Sequence, residues 1–359
     1  MSTDDLIRYD APGVEPEIPN ESEQIHKLHG LINRMQQKNF TCHRHGFRGT
    51  HVKTQAVAKG TLTVSPDLPD HLAQGLFSHG PQTHDIAIRF ANEPTFLQDD
   101  RAPGPRGCGM KVFGVPGAEG DFMDPAGATS HSHDFTFNNA PIIELRDLPT
   151  CLEIISLREQ HFSDGPGLEE ALKQRPDSDL QFAPASLPNR HFLSYTMYSQ
   201  SAFRWGPYVA KYALFPVGKT QRELALCQIT ADADPEQHSA WLREHFRSHD
   251  AEFDFRVQML RDLGAQSVED CSVEWDQERF PFETVGRVVL PRGQDVFDAR
   301  RRVFWEEGVK LNPWFGLEAH RPLGSVNRLR RSLYQRSVAK RGELNASRAE
   351  AIGRVDRIP

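Results

Sequence analysis

Apolar and polar positions alternate along this chain in two periods, and the period changes from segment to segment. From Asn20 the apolar residues Ile25, Leu28, Leu31, Ile32 and Met35 recur at helical spacing. This predicts an amphipathic helix ending near Asn39, with Asn20 as its N-cap and Glu23 three residues on. Residues 1 to about 20 are acidic and hold Pro12, Pro16 and Pro19, which reads as an arm rather than a packed element, free to wrap a partner subunit. Period two then takes over. Arg48 to Val64 reads as extended chain entering a strand, with His51 at its start. His84 to Asn92 sets Ile86, Ile88 and Phe90 against Ala87, Arg89 and Ala91, so Arg89 stands opposite the bulky face or points into a polar cavity. Arg106 to Val115 is a further strand whose glycines let another group approach the backbone closely. Phe135 to Phe137 is extended and leaves Asn138 at a strand end.

Helical spacing returns over Ile142 to Gln160, around Leu168 to Lys173 and around Arg190 to Ser199. Strands follow at Tyr208 to Val217 and Glu223 to Thr230, then a helix from Pro235 to His249 capped by Asp234, an alternating segment from Glu252 to Leu260, a strand from Thr284 to Leu290 and a helix from Gln294 to Trp305. The strands come in neighbouring pairs without the regular helix alternation of a parallel sheet. The class is α+β, with an antiparallel sheet large enough to close into a barrel and helices packed outside it.

The last segment, His320 to Arg341, opens with the breakers Pro322 and Gly324 and then runs free of both through Arg and Leu. On a helix from Gly324 to Arg341, Arg330, Tyr334 and Arg341 project from roughly one face. A guanidinium beside a phenol favours the phenolate, a hard anionic ligand for ferric iron, so Tyr334 is a candidate haem ligand. The same run, with Arg328, Arg331, Arg336 and Lys340, also suits phosphates along a nucleic acid.

Charge weighs against that second reading. The 359 residues carry a formal net charge of −7, so the basic helix is a local feature that needs a local anion, and a haem with two propionates would serve. The five cysteines are widely spaced with no C-x-x-C pair, which implies neither a disulfide framework nor a zinc ribbon. The start MSTDDLIRYDAPG lacks an apolar stretch, and no apolar run approaches ~18 residues, so a cytoplasmic protein without stable membrane insertion is expected.

Three polar clusters, Arg48-Gly49-Thr50-His51, Arg89-Phe90 and Asn138-Asn139-Ala140-Pro141 with Arg146-Asp147, precede Arg330-x-x-x-Tyr334 and Arg341. In that order, together with Arg106-Gly107…Lys111 and the stretch Trp275…Val285-Gly286-Arg287-Val288-Val289-Leu290, they resemble the catalase family over roughly residues 42 to 341. NPW…HRPLG before the last helix is similar to the short branch of small catalase-like peroxidases and allene oxide synthase. The resemblance implies a barrel of about eight strands, a single haem domain over residues 21–345 with a tail at 346–359, and a homo-oligomer, expected as a dimer. It implies haem b as cofactor, Tyr334 as the iron ligand with Arg330 as its partner, His51 as distal base, Asn138 as distal amide, and Arg48, Arg89 and Arg341 at the propionates.

A peroxide whose O–O bond is to break must lose a proton from one oxygen and gain one on the other, which a neutral imidazole of pKa ~6.5 can manage. Asn138 can bond the leaving oxygen without adding charge. Two departures from the family point away from plain hydrogen peroxide disproportionation. Thr50 stands where catalases usually carry an aliphatic residue, and its hydroxyl can restrain the imidazole. Cys151 or Leu152 replaces an aromatic that stacks on haem, which widens the pocket for an organic (fatty acid) hydroperoxide. The expected function is therefore a haem peroxidase or hydroperoxide-metabolising enzyme, with true catalase activity or a non-catalytic haem carrier or sensor as alternatives. Cys42-His43-x-His45 and His131-Ser-His133-Asp134 resemble fragments of a metal site without a complementary ligand set. No hydrolase, P-loop or dinucleotide motif occurs.

Overall fold

The computed structural model describes residues 5–359. In chain order its elements are α1 (Glu21–His43), β1 (Lys53–Val64), β2 (Thr83–Asn92), β3 (Arg106–Val112), α2 (Pro125–Ser130), β4 (His133–Asn138), α3 (Leu148–Gln160), α4 (Gly165–Lys173) and α5 (Ser178–Phe182). These are followed by β5 (Met197–Tyr198), β6 (Phe203–Trp205), β7 (Tyr208–Pro216), α6 (Lys219–Glu223), α7 (Gln237–Ser248), β8 (Ala251–Met259), β9 (Glu283–Leu290), α8 (Ala299–Val303) and α9 (Ser325–Asn345).

The strands run in the order β5-β4-β3-β2-β1-β9-β8-β7, and β5 also pairs with β7, so eight antiparallel strands close into a barrel with β6 appended to β7. This is the predicted architecture. Period two decides which side chains fill it. Ile86, Ile88 and Phe90 of β2 and Phe135 and Phe137 of β4 join the interior cluster with Tyr212 and Phe255. The rings meet edge on or tilted, as in Phe135–Tyr212 at 5.1 Å and Phe137–Tyr212 at 5.2 Å, so the barrel is a packed core and not a pore.

The opposite face of β2 is what positions the site. Ala87 packs with Val57, Trp305, Val309, Ile352 and Ile358 outside the barrel, and Arg89 shares that face. A second outer layer forms where α1, α3 and α9 bury Leu28, Ile32, Met35, Leu148, Ile155, Val326 and Leu329 against one another. Among the described residues, no helix is long and apolar enough to cross a membrane.

Several local expectations fail for identifiable reasons. Arg190–Ser199 is not a helix: a single 3-10 turn at Phe192–Ser194 leads into β5, whose Tyr198 pairs with Asn138 on one side and Ala213 on the other. Barrel closure outweighs the local spacing. Glu223–Thr230 is not a strand, because both barrel neighbours of β7 are already taken by β8 and by β5 with β6; the segment ends α6 and makes a turn at Leu224–Leu226, with Leu226 85% exposed. The helix predicted from Ile142 starts at Leu148, where Asp147 accepts from Thr150 N, while Ile143 N bonds Cys271 O outside any helix. Asn20 does not cap α1 with its side chain but takes a left-handed φ of 57°. The helix predicted over Gln294–Trp305 is only α8, followed by a π-helical turn at Phe304–Gly308.

Both terminal segments are packed over their described residues. In the N-terminal arm Leu6 and Val14 are buried on the chain's own barrel, with Ile7 N donating to Leu260 O at 3.0 Å and Tyr9 lying 4.0 Å from Arg204. The arm therefore docks in cis, contrary to the expectation of an unpacked segment. The tail buries Ile352 and Ile358 beside Trp305, and Glu350 N donates to Gly308 O at 2.8 Å.

Lys111 of β3 faces Asp134 of β4 across the ladder, and the ion pair, at 2.6 Å, is wholly buried. Asp134 also accepts from Asn312 N at 2.9 Å, tying the segment before α9 to the barrel. Replacing Lys111 by Met leaves a buried, unpaired carboxylate and is expected to cost about 3–5 kcal/mol in denaturant unfolding, whereas Lys111→Met with Asp134→Leu recovers most of that loss.

Candidate functional site

The helix α9 supplies one wall. Gly324, at φ 85°, turns the chain into it, and its N–H donates to Glu15 at 2.9 Å while Ser325 N donates to Glu269 at 2.8 Å. Arg328 is held by Glu15 at 2.7 Å and Glu21 at 2.8 Å, so it is an internal tie and not a phosphate ligand. Arg331 is exposed and lies 5.0 Å from the Trp314 ring, and Arg336 is exposed, both off the inward face as expected. Tyr334, Leu333, Ser337, Val338 and Arg341 line a cleft with about 830 Å³ of space free of protein atoms, the open solvent at its mouth included. Arg330, one turn before Tyr334, donates from Nη1 to Asn327 at 3.0 Å and Ser201 at 3.1 Å, and does not itself line the cleft.

The loop before β1 forms another part of the lining. Gly49 N donates to Ser337 Oγ at 2.9 Å, pinning the loop to α9. Arg48, Thr50 and His51 follow it into the cleft. His51 has a φ of 53°, left-handed and strained for a residue of this kind. It is clamped through its backbone: its N–H donates to Glu93 O at 2.7 Å, and its carbonyl accepts from Arg89 Nη2 at 2.6 Å. Burial, and then Arg89, Arg330 and Arg48, hold the imidazole pKa down to about 3. The ring lies against Gly107, where an added Cβ would stand 2.7 Å from Nδ1 and closer still to Cε1. This is the close approach that the glycines of β3 announce.

Asn138 is paired with Gly107 in the β3–β4 register, so it sits one strand away from the backbone that carries the His51 ring. Its Nδ2 donates to Glu93 at 2.9 Å and its Oδ1 accepts from Asn139 N at 2.8 Å; it does not line the cleft. Among the described residues no hydrogen bond joins Thr50 to His51, although both line the cleft. Cys151 is buried in the α1–α3–α9 packing and Leu152 packs against it, and neither reaches the cleft. Cys42, His43 and His45 are exposed, and among the described residues no three His, Cys, Asp or Glu side chains gather as a metal site.

The electrostatic centre is a residue that sequence reasoning missed. Glu306, in the π-helical turn, bonds Arg48 through Oε2, and its Oε1 accepts from the Thr54 hydroxyl and, at 2.7 Å, from Arg89 Nε. Burial would raise its pKa, but Arg48, Arg89, the Thr54 bond and Arg341 pull it to about 2. Arg341 is 2% exposed, and its Nη2 has no partner among the described residues. In the sequence Glu306 reads as a surface charge after Arg300-Arg301-Arg302, and only the third dimension shows where it goes.

The arrangement can be compared with known proteins. No family model and no curated protein matches the sequence. Solved structures do. A crystal structure of a fungal catalase superposes with a TM-score of 0.63 at 17% identity, covering 85% of this chain and 61% of that one. Catalase A from Saccharomyces cerevisiae gives 0.61 at 17% identity, covering 96% and 67%, and a bacterial catalase gives 0.59 at 17%, covering 98% and 66%. The chain has the catalase fold, in about two thirds of the length of those proteins.

The His51–Gly107 contact is directly testable. Gly107→Ala is expected to destabilise by about 1–3 kcal/mol through overpacking, and truncating the ring in Gly107→Ala/His51→Ala should restore most of it. Additive losses in thermal unfolding would show that the methyl group strains something other than the imidazole.

Proposed function

We propose that this protein binds haem b and acts on peroxides, as a haem peroxidase or an enzyme that transforms organic, including fatty acid, hydroperoxides. The observation that carries the reading is the meeting in one cleft of Tyr334, His51 and three cations, Arg48, Arg89 and Arg341, brought together from three separate segments. The residues suit the group. Arg48 and Arg89, largely buried, both bond the Glu306 carboxylate, Arg341 feels Glu306 and Glu307 without bonding either, and its partnerless Nη2 marks an anion site short of negative charge. Ile32, Phe137, Val309, Leu311 and Val338 supply an apolar lining for a macrocycle. Tyr334 would hold the iron, and Arg48, Arg89 and Arg341 the propionates. The catalase fold of the chain supports the same reading.

When bound, ferric haem supplies the redox chemistry for breaking the O–O bond. The chain's own residues handle protons and orientation. Burial keeps the His51 imidazole neutral, so a ring nitrogen can accept the hydroperoxide proton and return it to the departing oxygen. Glu93 holds the Asn138 amide on β4, next to the β3 strand against which the His51 ring lies, and from there the amide would have to turn toward the cleft to orient a substrate oxygen. Arg330 stands four residues before Tyr334 on the same helix, tied by Nη1 to Asn327 and Ser201, and would lie one helical turn from the ligand along α9. Thr50 makes no hydrogen bond to His51 here, so its bearing on the choice between organic hydroperoxides and hydrogen peroxide would act through the cleft wall that the two residues share.

Four outcomes test this. Purified protein should take up haemin and show a Soret band, and Tyr334→Phe should lose most of it; a wild-type chain that refuses haemin ends the reading. His51→Ala should keep its haemin but cleave hydroperoxide roughly 10²–10⁴-fold more slowly. Thr50→Val should raise oxygen evolution from hydrogen peroxide relative to consumption of a lipid hydroperoxide, and the same comparison in the wild-type chain separates a catalase from a hydroperoxide enzyme. Finally, a pKa near 3 leaves the base form of His51 present at every pH above that value, where a free imidazole would lose it below ~6.5. The kcat/KM profile should thus stay flat from pH 7 to about 4, and an inflection near 6.5 that disappears in His51→Ala would contradict it.

A further inference from the structure

Glu306 occupies the seat that the haem reading assigns to a propionate. Its two oxygens engage Arg48, Arg89 and Thr54, and the Arg48 Nη2 goes to the Trp305 carbonyl at 3.0 Å, so both terminal nitrogens of Arg48 are spent within one turn of chain. Arg89 uses Nε on Glu306 and Thr54 and Nη2 on the His51 carbonyl. Of the three arginines, only Arg341 keeps a terminal nitrogen that is buried and without a partner among the described residues. A carboxylate arriving on a ligand finds Arg48 Nη1 and Arg89 Nε already answering a carboxylate of the chain, and the Nη2 of each held by a backbone carbonyl.

The position of Glu306 in the backbone allows it to leave. Residues Phe304–Gly308 form a π-helical turn between α8 and the extended Val309, and such turns hold a hydrogen-bond register that an α-helix does not keep. A change of register there re-aims the carboxylate. Within the turn, Trp305 before the acid is fully buried and Gly308 O after it accepts from Glu350 N of the packed tail, so the turn is anchored on both sides of Glu306. Release of the carboxylate is thereby limited to the short stretch between those anchors.

We propose that Glu306 is a built-in competitor for the propionates of haem, a carboxylate of the chain that closes the Arg48–Arg89–Arg341 seat in the haem-free protein and is displaced when haem loads. This rests on the haem reading above. It makes Glu306 the residue that sets how tightly haem is held: the apparent affinity is the intrinsic one reduced by the fraction of molecules whose seat is open. It also explains how three arginines can wait together for a ligand, since the acid screens their mutual repulsion until a ligand anion replaces it.

The test is a haemin titration of the haem-free wild-type chain and of Glu306→Gln, read by the Soret band and by quenching of tryptophan fluorescence, and repeated with haemin dimethyl ester, which carries no propionate charge. Glu306→Gln is expected to bind haemin at least about tenfold more tightly, with little or no gain for the ester. Haem-free Glu306→Gln should melt at a lower temperature than wild type and gain more on haemin addition. Thr54→Val, which removes one of the bonds holding Glu306 without removing the acid, should move haemin affinity the same way by a smaller factor and serves if Glu306→Gln does not fold. Equal or weaker haemin binding by the variants while wild type binds normally overturns the competitor and leaves the haem reading standing. An equal gain for the ester also overturns it, since the pocket would merely have loosened. If neither wild type nor variants take up haemin, both readings fall; uptake by Glu306→Gln alone supports both.

Discussion

A guanidinium group leaves water only when anions or good acceptors meet it, and this structure withdraws three of them into one cleft. Arg48 comes from a loop, Arg89 from the outward face of β2 and Arg341 from the far end of α9, while the answering carboxylate comes from a turn more than two hundred residues beyond Arg48. No local segment contains this cluster. It exists only after the barrel has closed and α9 has docked on α1 and α3, so the stability of the outer helical layer and the integrity of the site are one problem. The distribution of charge in the chain follows the same division: an acidic molecule overall, with its cations gathered where an anion is wanted.

Docking of α9 is itself electrostatic as well as apolar. Val326 and Leu329 bury against α1 and α3, and Arg328 beside them reaches Glu15 and Glu21 across the N-terminal arm and the start of α1. The arm is thus not an appendage. Glu15 also caps the N-terminus of α9 through Gly324 N, a negative charge where the helix dipole favours one. The basic helix that at sequence level suited phosphates uses Arg328 to hold the arm and Arg341 to line the cleft, and leaves Arg331 and Arg336 on the surface.

What the sequence showed and what it hid follow a physical rule. Long strands such as His84–Asn92 and Glu252–Leu260 were legible because period two, imposed by the pleat itself, sets bulky apolar residues on the barrel face against smaller or polar ones on the other. The two-residue strand β5 was not, since its existence depends on Asn138 and Ala213 lying on either side of it. Glu223–Thr230 misled in the opposite way, with a strand-like composition at a place where no free edge was left. In the site, Arg48, Thr50, His51, Arg89, Tyr334 and Arg341 were found by motif and do share one cleft, while Asn138 and Arg330 do not line it. Glu306 and Glu93 escaped because their roles are set entirely by partners distant in sequence.

His51 shows how these links join. A left-handed backbone at a non-glycine residue costs of order 1–3 kcal/mol and persists only where its surroundings impose it. Here they do so from two sides: Glu93 takes the His51 N–H, and Arg89 takes the carbonyl. With Gly107 beneath the ring, backbone clamps and a missing side chain fix the imidazole. Arg89 is at the same time a partner of Glu306. One guanidinium therefore spans Glu306 and the His51 backbone, and the carboxylate it meets on one side bears on the geometry of the imidazole at the other. The strain at His51 and the surplus of positive charge in the cleft are two ends of a single arrangement, held by the side chain that β2 turns away from the barrel core.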